Sequence, residues 1–148
     1  MLSGKRILVT GAARGLGRSV AEAAASEGAR LVISDILADE LQATAEALRA
    51  RGAEVEALSI DQADPASIEA GMARVAEGGG LYGLVNNAAI ATGVGGETLM
   101  DYDADLWDRV MTVNVKGTWL MTRAAVPLLE SGDSGRIVNL ASDTALWG

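Results

Sequence analysis

Short apolar runs alternate with segments of helical periodicity along this chain, and this alternation constrains the fold more than any other feature. The apolar runs cover residues 7–9, 31–33, 55–60, 84–85 and 137–140. Taken together, the strands read as continuous apolar runs and not as alternating ones, which is typical of strands buried on both faces of a parallel sheet. Helical segments between the runs give repeated β-α-β units. The sequence therefore predicts an α/β fold: a doubly wound parallel sheet in three layers, α/β/α.

The helical segments have recognisable ends. The first is predicted over about residues 14–27, with Leu16 and Val20 on one face, and the second runs from Leu37 until Gly52 closes it. Asp64 and Pro65 open the third, as N-cap and first helical residue. A long helix is predicted over about 104–130. No linker or repeat divides the 148 residues, so residues 1–148 are predicted to be a single domain.

Composition excludes several kinds of chemistry. The net charge is −8, and Lys and Arg are scattered, which argues against nucleic acid or an anionic membrane as partner. Cysteine and histidine are absent, so disulfides, thiolate catalysis and a Ser-His-Asp triad are excluded, and no metal site is predicted. The polar N-terminus resembles no signal peptide, and no apolar stretch is long enough for a membrane span, so a cytoplasmic location is expected.

Three glycines join the first strand to the first helix, in the sequence T-G-A-A-R-G-L-G from Thr10 to Gly17. Gly11 permits a tight turn, Gly15 lets a pyrophosphate approach the backbone, and Gly17 allows the helix to pack closely on the strand. The helix N-terminus offers free N–H groups and the positive end of its dipole to phosphates. This strand–turn–helix predicts a Rossmann-type fold that binds a dinucleotide.

An acid follows the second strand directly. Asp35 can accept hydrogen bonds from the hydroxyls of the adenosine ribose and would repel a 2′-phosphate, which favours NAD over NADP. Arg14 argues the other way, because in similar proteins a basic residue before the second glycine can help to hold a 2′-phosphate. The residue after the acid is Ile36 and not arginine, so the second common determinant of NADP binding is missing. The alternative is that Asp35 caps the helix that starts near Leu37.

The glycine spacing G-x-x-x-G-x-G differs from the common G-x-G-x-x-G and resembles that of the short-chain dehydrogenase/reductase family, Thr10 included. The resemblance implies that Asp61 contacts adenine through its side chain and Gln62 through its backbone. Residues 86–89, N-N-A-A, resemble the family's N-N-A-G and depart from it at Ala89. The resemblance covers the N-terminal portion of the family domain, so the C-terminal part of that domain is expected to be missing from the chain.

Two further residues match catalytic positions of the family. By resemblance, Asn114 in the long helix supports a water in a proton relay, and Ser142 after the fifth strand hydrogen-bonds the substrate oxygen. The family also uses a Y-x-x-x-K pair, which occurs nowhere in these residues. The expectation is a longer enzyme, and a 148-residue chain that is inactive alone.

The resemblance thus implies an NAD(P)-dependent oxidoreductase that transfers hydride between a nicotinamide cofactor, NAD before NADP, and a secondary alcohol or ketone. It also implies a homo-oligomer, dimer or tetramer. The alternatives are a non-catalytic dinucleotide-binding or sensing module, which would need neither Asn114 nor Ser142, and an epimerase or dehydratase of the extended relatives, which space their glycines differently. The predicted cofactor-binding residues are Thr10, Gly11, Arg14, Gly15, Leu16, Gly17, Asp35, Ile36, Asp61, Gln62, Asn87, Ala88 and Ala89.

Overall fold

Five strands and five α-helices follow one another in a computed structural model that describes residues 1–98, 100–131 and 134–142. The strands are β1 (Arg6–Thr10), β2 (Arg30–Asp35), β3 (Val55–Ser59), β4 (Gly83–Asn86) and β5 (Arg136–Asn139). The helices are α1 (Gly15–Ser26), α2 (Ala38–Ala50), α3 (Pro65–Glu77), α4 (Ala104–Val110) and α5 (Thr118–Glu130). A π-helical segment, Met111–Gly117, joins α4 to α5.

The strands form one parallel sheet in the order β3-β2-β1-β4-β5. The chain adds β2 and β3 on one side of β1 and then crosses to the other side for β4 and β5. The strand order therefore reverses between β1 and β4, the usual place for a ligand in such a sheet. The predicted α/β doubly wound sheet is confirmed.

Alternate residues of the strands build two separate cores. Val9 and Ile33 belong to the core that α1 and α2 cover, whereas Leu8 and Val32 belong to the core that α3 and α5 cover. The apolar positions of β1 and β2 therefore meet a packed layer on one face of the sheet or the other, which explains why their apolar runs are continuous.

Two helices differ from their predictions. The buried face of α1 consists of small residues, Gly17, Ala21 and Ala24, while Leu16 is 62% exposed, because α1 packs too closely for large side chains. The long helix occurs, but the π-helical segment interrupts it. Gly117 ends this segment against the backbone of Gln62, and a Cβ at Gly117 would overlap the Gln62 carbonyl oxygen.

The N-terminal polar segment contains a buried residue that sequence patterns miss. Arg6 opens β1, and its guanidinium donates to the carbonyl oxygens of Val75 at 2.8 Å and Gly79 at 2.9 Å. It also pairs with Glu56 at 3.2 Å. A cation at the C-terminus of α3 satisfies carbonyls that the helix leaves free and complements its dipole.

The fifth strand is exposed at all four of its positions, including Ile137 and Val138. It pairs with β4 and stands last in the sheet among the described strands. Across residues 1–98, 100–131 and 134–142, no helix has the length and apolar character that a membrane crossing requires.

Candidate functional site

A cavity of about 740 Å³ lies at the carboxyl ends of the strands, beside the reversal between β1 and β4. Its wall combines the glycine turn, the end of β2, the loops after β3 and β4, and the α4–π junction. The predicted cofactor-binding residues line it, except for Thr10: Gly11, Arg14, Gly15, Leu16, Gly17, Asp35, Ile36, Asp61, Gln62, Asn87, Ala88 and Ala89.

The three glycines differ in their surroundings. Gly11 has a φ of +66°, and a Cβ there would stand 2.7 Å from the Ala88 Cα, so the turn admits only glycine. A Cβ on Gly17 would overlap the Gly11 carbonyl oxygen and the Asn87 amide nitrogen. Gly15 has a φ of +57°, and a Cβ there would meet no atom of the described residues within 4 Å. Gly11 and Gly17 therefore permit close packing, whereas Gly15 leaves open space in the cavity wall.

The N-terminus of α1 adjoins this open space. Arg14 is its N-cap residue, with an extended backbone, and the described residues provide neither a side-chain cap nor an acid in the first turn. The first N–H groups of a helix have no partner within the helix. This end of α1 therefore fits an anion such as a pyrophosphate.

Thr10 is buried behind the cavity wall, where it ties two strand ends together. Its hydroxyl oxygen accepts the backbone N–H groups of Asn87 at 3.1 Å and Ala88 at 3.0 Å. The Asn87 side-chain amide donates back to the carbonyl oxygens of Thr10 and Gly11, both at 3.0 Å. Thr10 and Asn87 thus hold the floor of the cavity rigid.

Asp35 is the last residue of β2 and joins two neighbouring segments. Its carboxylate accepts the N–H of Ala13 at 2.9 Å and the N–H of Leu37 at 3.1 Å. The N-cap residue of α2 is Leu37 and not Asp35, but the Asp35 carboxylate binds the Leu37 N–H at the start of this helix, so Asp35 supports the helix end without being its N-cap. Asp35 remains half-buried and lines the cavity.

The basic residue of the turn points toward α2. Arg14 Nη1 lies 3.9 Å from Glu40 Oε1, and both side chains are largely exposed. Ile36, which follows Asp35, is also exposed and lines the same part of the cavity. A solvent-exposed ion pair with a separation of 3.9 Å contributes little energy, so it does not hold the Arg14 side chain in this position.

The loop after β3 presents Asp61 and Gln62. Asp61 Oδ1 accepts the N–H of Ala63 at 2.8 Å, and its own N–H donates to Ser67 Oγ at 2.9 Å. Gln62 is only 7% exposed, and its side-chain amide has no hydrogen-bond partner among the residues that the structure describes. These contacts fix the loop as one wall of the cavity.

Asn114 lies in the π-helical segment and braces the loop after β4. Its Oδ1 accepts the Ile90 N–H at 2.8 Å, and its Nδ2 donates to the Ile90 carbonyl oxygen at 3.0 Å. Ser142 is exposed and stands three residues beyond the end of β5. Ile90 lines the cavity, whereas neither Asn114 nor Ser142 does.

The sequence did not predict that α4 and the π-helical segment form part of the cavity wall. Asp108, Arg109, Thr112 and Val113 line the cavity from α4 and the π-helical segment. Their spacing of four residues puts them on one helix face, which was the available signal. In the sequence alone, this spacing looks the same as that of an ordinary solvent-exposed helix face.

Comparisons with known proteins agree with this arrangement. A family model described as "short chain dehydrogenase" matches residues 5–148. A sorbitol dehydrogenase of Cereibacter sphaeroides is 37% identical over 99% of this chain and 56% of its own length. The chain spans about half the length of the curated relatives it matches, for example 51% and 56%.

Solved structures give the same picture. A short-chain dehydrogenase/reductase from Burkholderia phymatum in complex with NAD superposes with a TM-score of 0.90 at 35% identity, over 98% of this chain and 51% of that one. L-Sorbose reductase from Gluconobacter frateurii, complexed with NADPH and L-sorbose, gives 0.91 at 30% identity, over 99% and 55%. With its glycine turn, its sheet order and a family match over nearly its whole length, the chain belongs to the short-chain dehydrogenase family.

Proposed function

We propose that these residues hold the cofactor of an NAD(P)-dependent oxidoreductase that transfers hydride between the nicotinamide ring and a secondary alcohol or ketone. The observation that carries the proposal is the open space at Gly15 beside the uncapped N-terminus of α1, inside a cavity at the strand reversal. The cofactor supplies the hydride chemistry when bound, and the protein binds and orients it. A cytoplasmic location, expected from the sequence, is part of the same proposal.

Each wall of the cavity has a proposed task. The first N–H groups of α1 hold the pyrophosphate, and Gly15 lets it approach the backbone. The Asp35 carboxylate accepts hydrogen bonds from the hydroxyls of the adenosine ribose. The Asp61 side chain and the Gln62 backbone contact the adenine ring. The proposed floor under the cofactor is formed by Asn87, Ala88 and Ala89, which the Thr10 hydroxyl holds in place.

Two residues are assigned to the reaction itself. Ser142 donates a hydrogen bond to the substrate oxygen and so orients the carbon that exchanges hydride. Asn114 is assigned the family's role of holding a water in the proton relay, and its side chain also braces the loop at Ile90. A non-catalytic sensing module would need neither residue, so their presence favours the enzyme over that alternative.

The proposed reaction can be tested by comparing the activity of the expected longer enzyme, called the whole protein below, with that of the 148-residue chain alone. The whole protein should reduce NAD with at least one member of a panel of secondary alcohols, followed by the absorbance of NADH. The 148-residue chain alone should show no turnover, because it contains no tyrosine followed four positions later by lysine to act as acid and base. Turnover by the 148-residue chain would refute the assignment of the catalytic residues.

The preference for NAD is proposed to rest on Asp35. Asp35→Asn removes the charge but keeps an acceptor oxygen, so NAD should bind about tenfold more weakly while NADP binds no worse. Asp35→Ala should weaken both cofactors, since it also removes the acceptor of the Ala13 N–H. Titrating both cofactors into each variant measures this, and an unchanged NAD/NADP ratio in Asp35→Asn would assign the preference elsewhere.

A homo-oligomer is proposed to form through the long helix. Trp107, Met111, Val115 and Trp119 recur every four residues and are each between 41% and 56% exposed. Such an apolar stripe on one helix face is suited to packing against a second copy. Light scattering of the whole protein and of Trp119→Glu tests this: the variant should dissociate, and a monomeric wild type would refute the proposal.

A further inference from the structure

We propose that Thr44 of α2 is a positioning residue for the dinucleotide, because it fixes the peptide group around which the phosphate-binding turn is built. This inference rests on the proposed function and deepens it. Thr44 lies outside the cavity and outside the glycine motif. It acts through Ala13, the residue two positions before Gly15.

Both backbone polar groups of Ala13 are held by side chains from other elements. The Thr44 hydroxyl donates to the Ala13 carbonyl oxygen at 2.7 Å, and the Asp35 carboxylate accepts the Ala13 N–H at 2.9 Å. The preceding N–H, that of Ala12, donates to the Ser34 carbonyl oxygen at 3.1 Å. Ala13 is therefore clamped between α2 and the end of β2 by hydrogen bonds to both of its backbone polar groups.

The Thr44 hydroxyl is unusual for a helix interior. It is 1% exposed, and its helix neighbours Leu41, Ala45 and Leu48 all belong to the apolar core. A threonine hydroxyl in a helix commonly bonds a carbonyl of the preceding turn of the same helix. Here it donates across to Ala13. Since burying a hydroxyl is costly unless it is paired, packing of α2 alone would be better served by valine.

The clamp determines how the turn meets a ligand. Arg14 follows Ala13 with an extended backbone, and Gly15 then starts α1 with a positive φ. A shift of the Ala13 peptide would reorient the first N–H groups of α1, which the proposed function gives to the pyrophosphate. The pyrophosphate is common to NAD and NADP, so Thr44 serves both cofactors equally, in contrast to Asp35.

The test uses an isosteric pair in the whole protein. Thr44→Val keeps the shape and removes the donor, and Thr44→Ser keeps the donor. Calorimetric titration should show NAD and NADP each bound about fivefold to tenfold more weakly by Thr44→Val, because one hydrogen bond to a buried acceptor is lost. Thr44→Ser should restore affinity to within about twofold of the wild type.

A matched control separates positioning from stability. Val75→Ala truncates a fully buried side chain in the core on the other face of the sheet. It should lower the melting temperature but leave both affinities unchanged. Equal affinity losses in Thr44→Val and Val75→Ala, or wild-type affinity in Thr44→Val, would overturn the inference.

Hydrogen exchange in the cofactor-free protein gives a readout independent of binding. The Ala13 amide should exchange faster in Thr44→Val than in the wild type or in Val75→Ala, and unchanged protection would overturn the clamp. If the wild type binds neither dinucleotide, the proposed function fails and with it the role toward the cofactor, while the exchange rates still decide whether Thr44 orders the turn.

Discussion

Gly15→Asn is expected to weaken NAD binding by at least about a hundredfold while the protein stays folded. Gly15 has a φ of +57°, a conformation that asparagine tolerates better than other side chains. Within the part of the chain that the structure describes, no atom lies within 4 Å of a Cβ at Gly15, so the new side chain enters the space proposed for the pyrophosphate. Gly15→Val would also block this space, but a β-branched residue in the left-handed region adds strain and lowers stability.

Gly52→Asn is the matched control for this experiment. Gly52 also has a positive φ, of +89°, and no atom of residues 1–98, 100–131 or 134–142 lies within 4 Å of a Cβ there. Unlike Gly15, it follows α2 and does not line the cavity. Calorimetric titration and circular dichroism should show both variants folded and only Gly52→Asn binding NAD normally. Wild-type affinity in Gly15→Asn would show that no phosphate approaches this glycine.

Gly17→Ala is expected to lower the free energy of unfolding by about 3 kcal/mol and to abolish NAD binding. A methyl group at Gly17 would overlap the Gly11 carbonyl oxygen and the Asn87 amide, so α1 must move away from the turn. A loss of stability would point to the close contact at Gly17, because Gly→Ala in an exposed helix interior raises the free energy of unfolding by about 1 kcal/mol.

Gly71→Ala in α3 is the control for Gly17→Ala. The atoms nearest to its Cβ belong to the Ile60 side chain, which can adjust, whereas those at Gly17 include backbone. Denaturant unfolding should give a smaller loss in the free energy of unfolding for Gly71→Ala than for Gly17→Ala. Equal losses in the two variants would mean that the contact between α1 and the turn carries no special constraint.

The features that the sequence predicts well are those encoded by neighbouring residues. The apolar runs mark all five strands, most clearly β1 and β2, whose apolar side chains reach packed layers on both faces of the sheet. Asp64 caps α3, as its position before Pro65 predicts. The glycine turn is recognisable because close contacts exclude a side chain at Gly11 and Gly17 and because Gly15 has a positive φ. Each of these patterns spans only a few neighbouring residues, so it can be recognised without knowing the tertiary structure.

The features that the sequence conceals depend on partners far along the chain. Arg6 resembles a solvated residue until α3 places its C-terminal carbonyls beside it. In the sequence, Thr44 looks like an ordinary helix residue, and only the tertiary structure shows that its hydroxyl donates to the Ala13 carbonyl oxygen. The buried face of α1 was obscured for another reason, since close packing selects Gly17 and Ala21, while hydrophobic periodicity emphasises the exposed Leu16.

A crystal structure of the whole protein with NAD tests most directly whether this cavity holds the cofactor. The pyrophosphate is expected against Gly15 and the first N–H groups of α1, with the adenosine ribose hydroxyls within hydrogen-bond distance of the Asp35 carboxylate. The adenine ring is expected beside Asp61. A dinucleotide bound elsewhere on the protein, or one whose ribose lies away from Asp35, would contradict the proposed site.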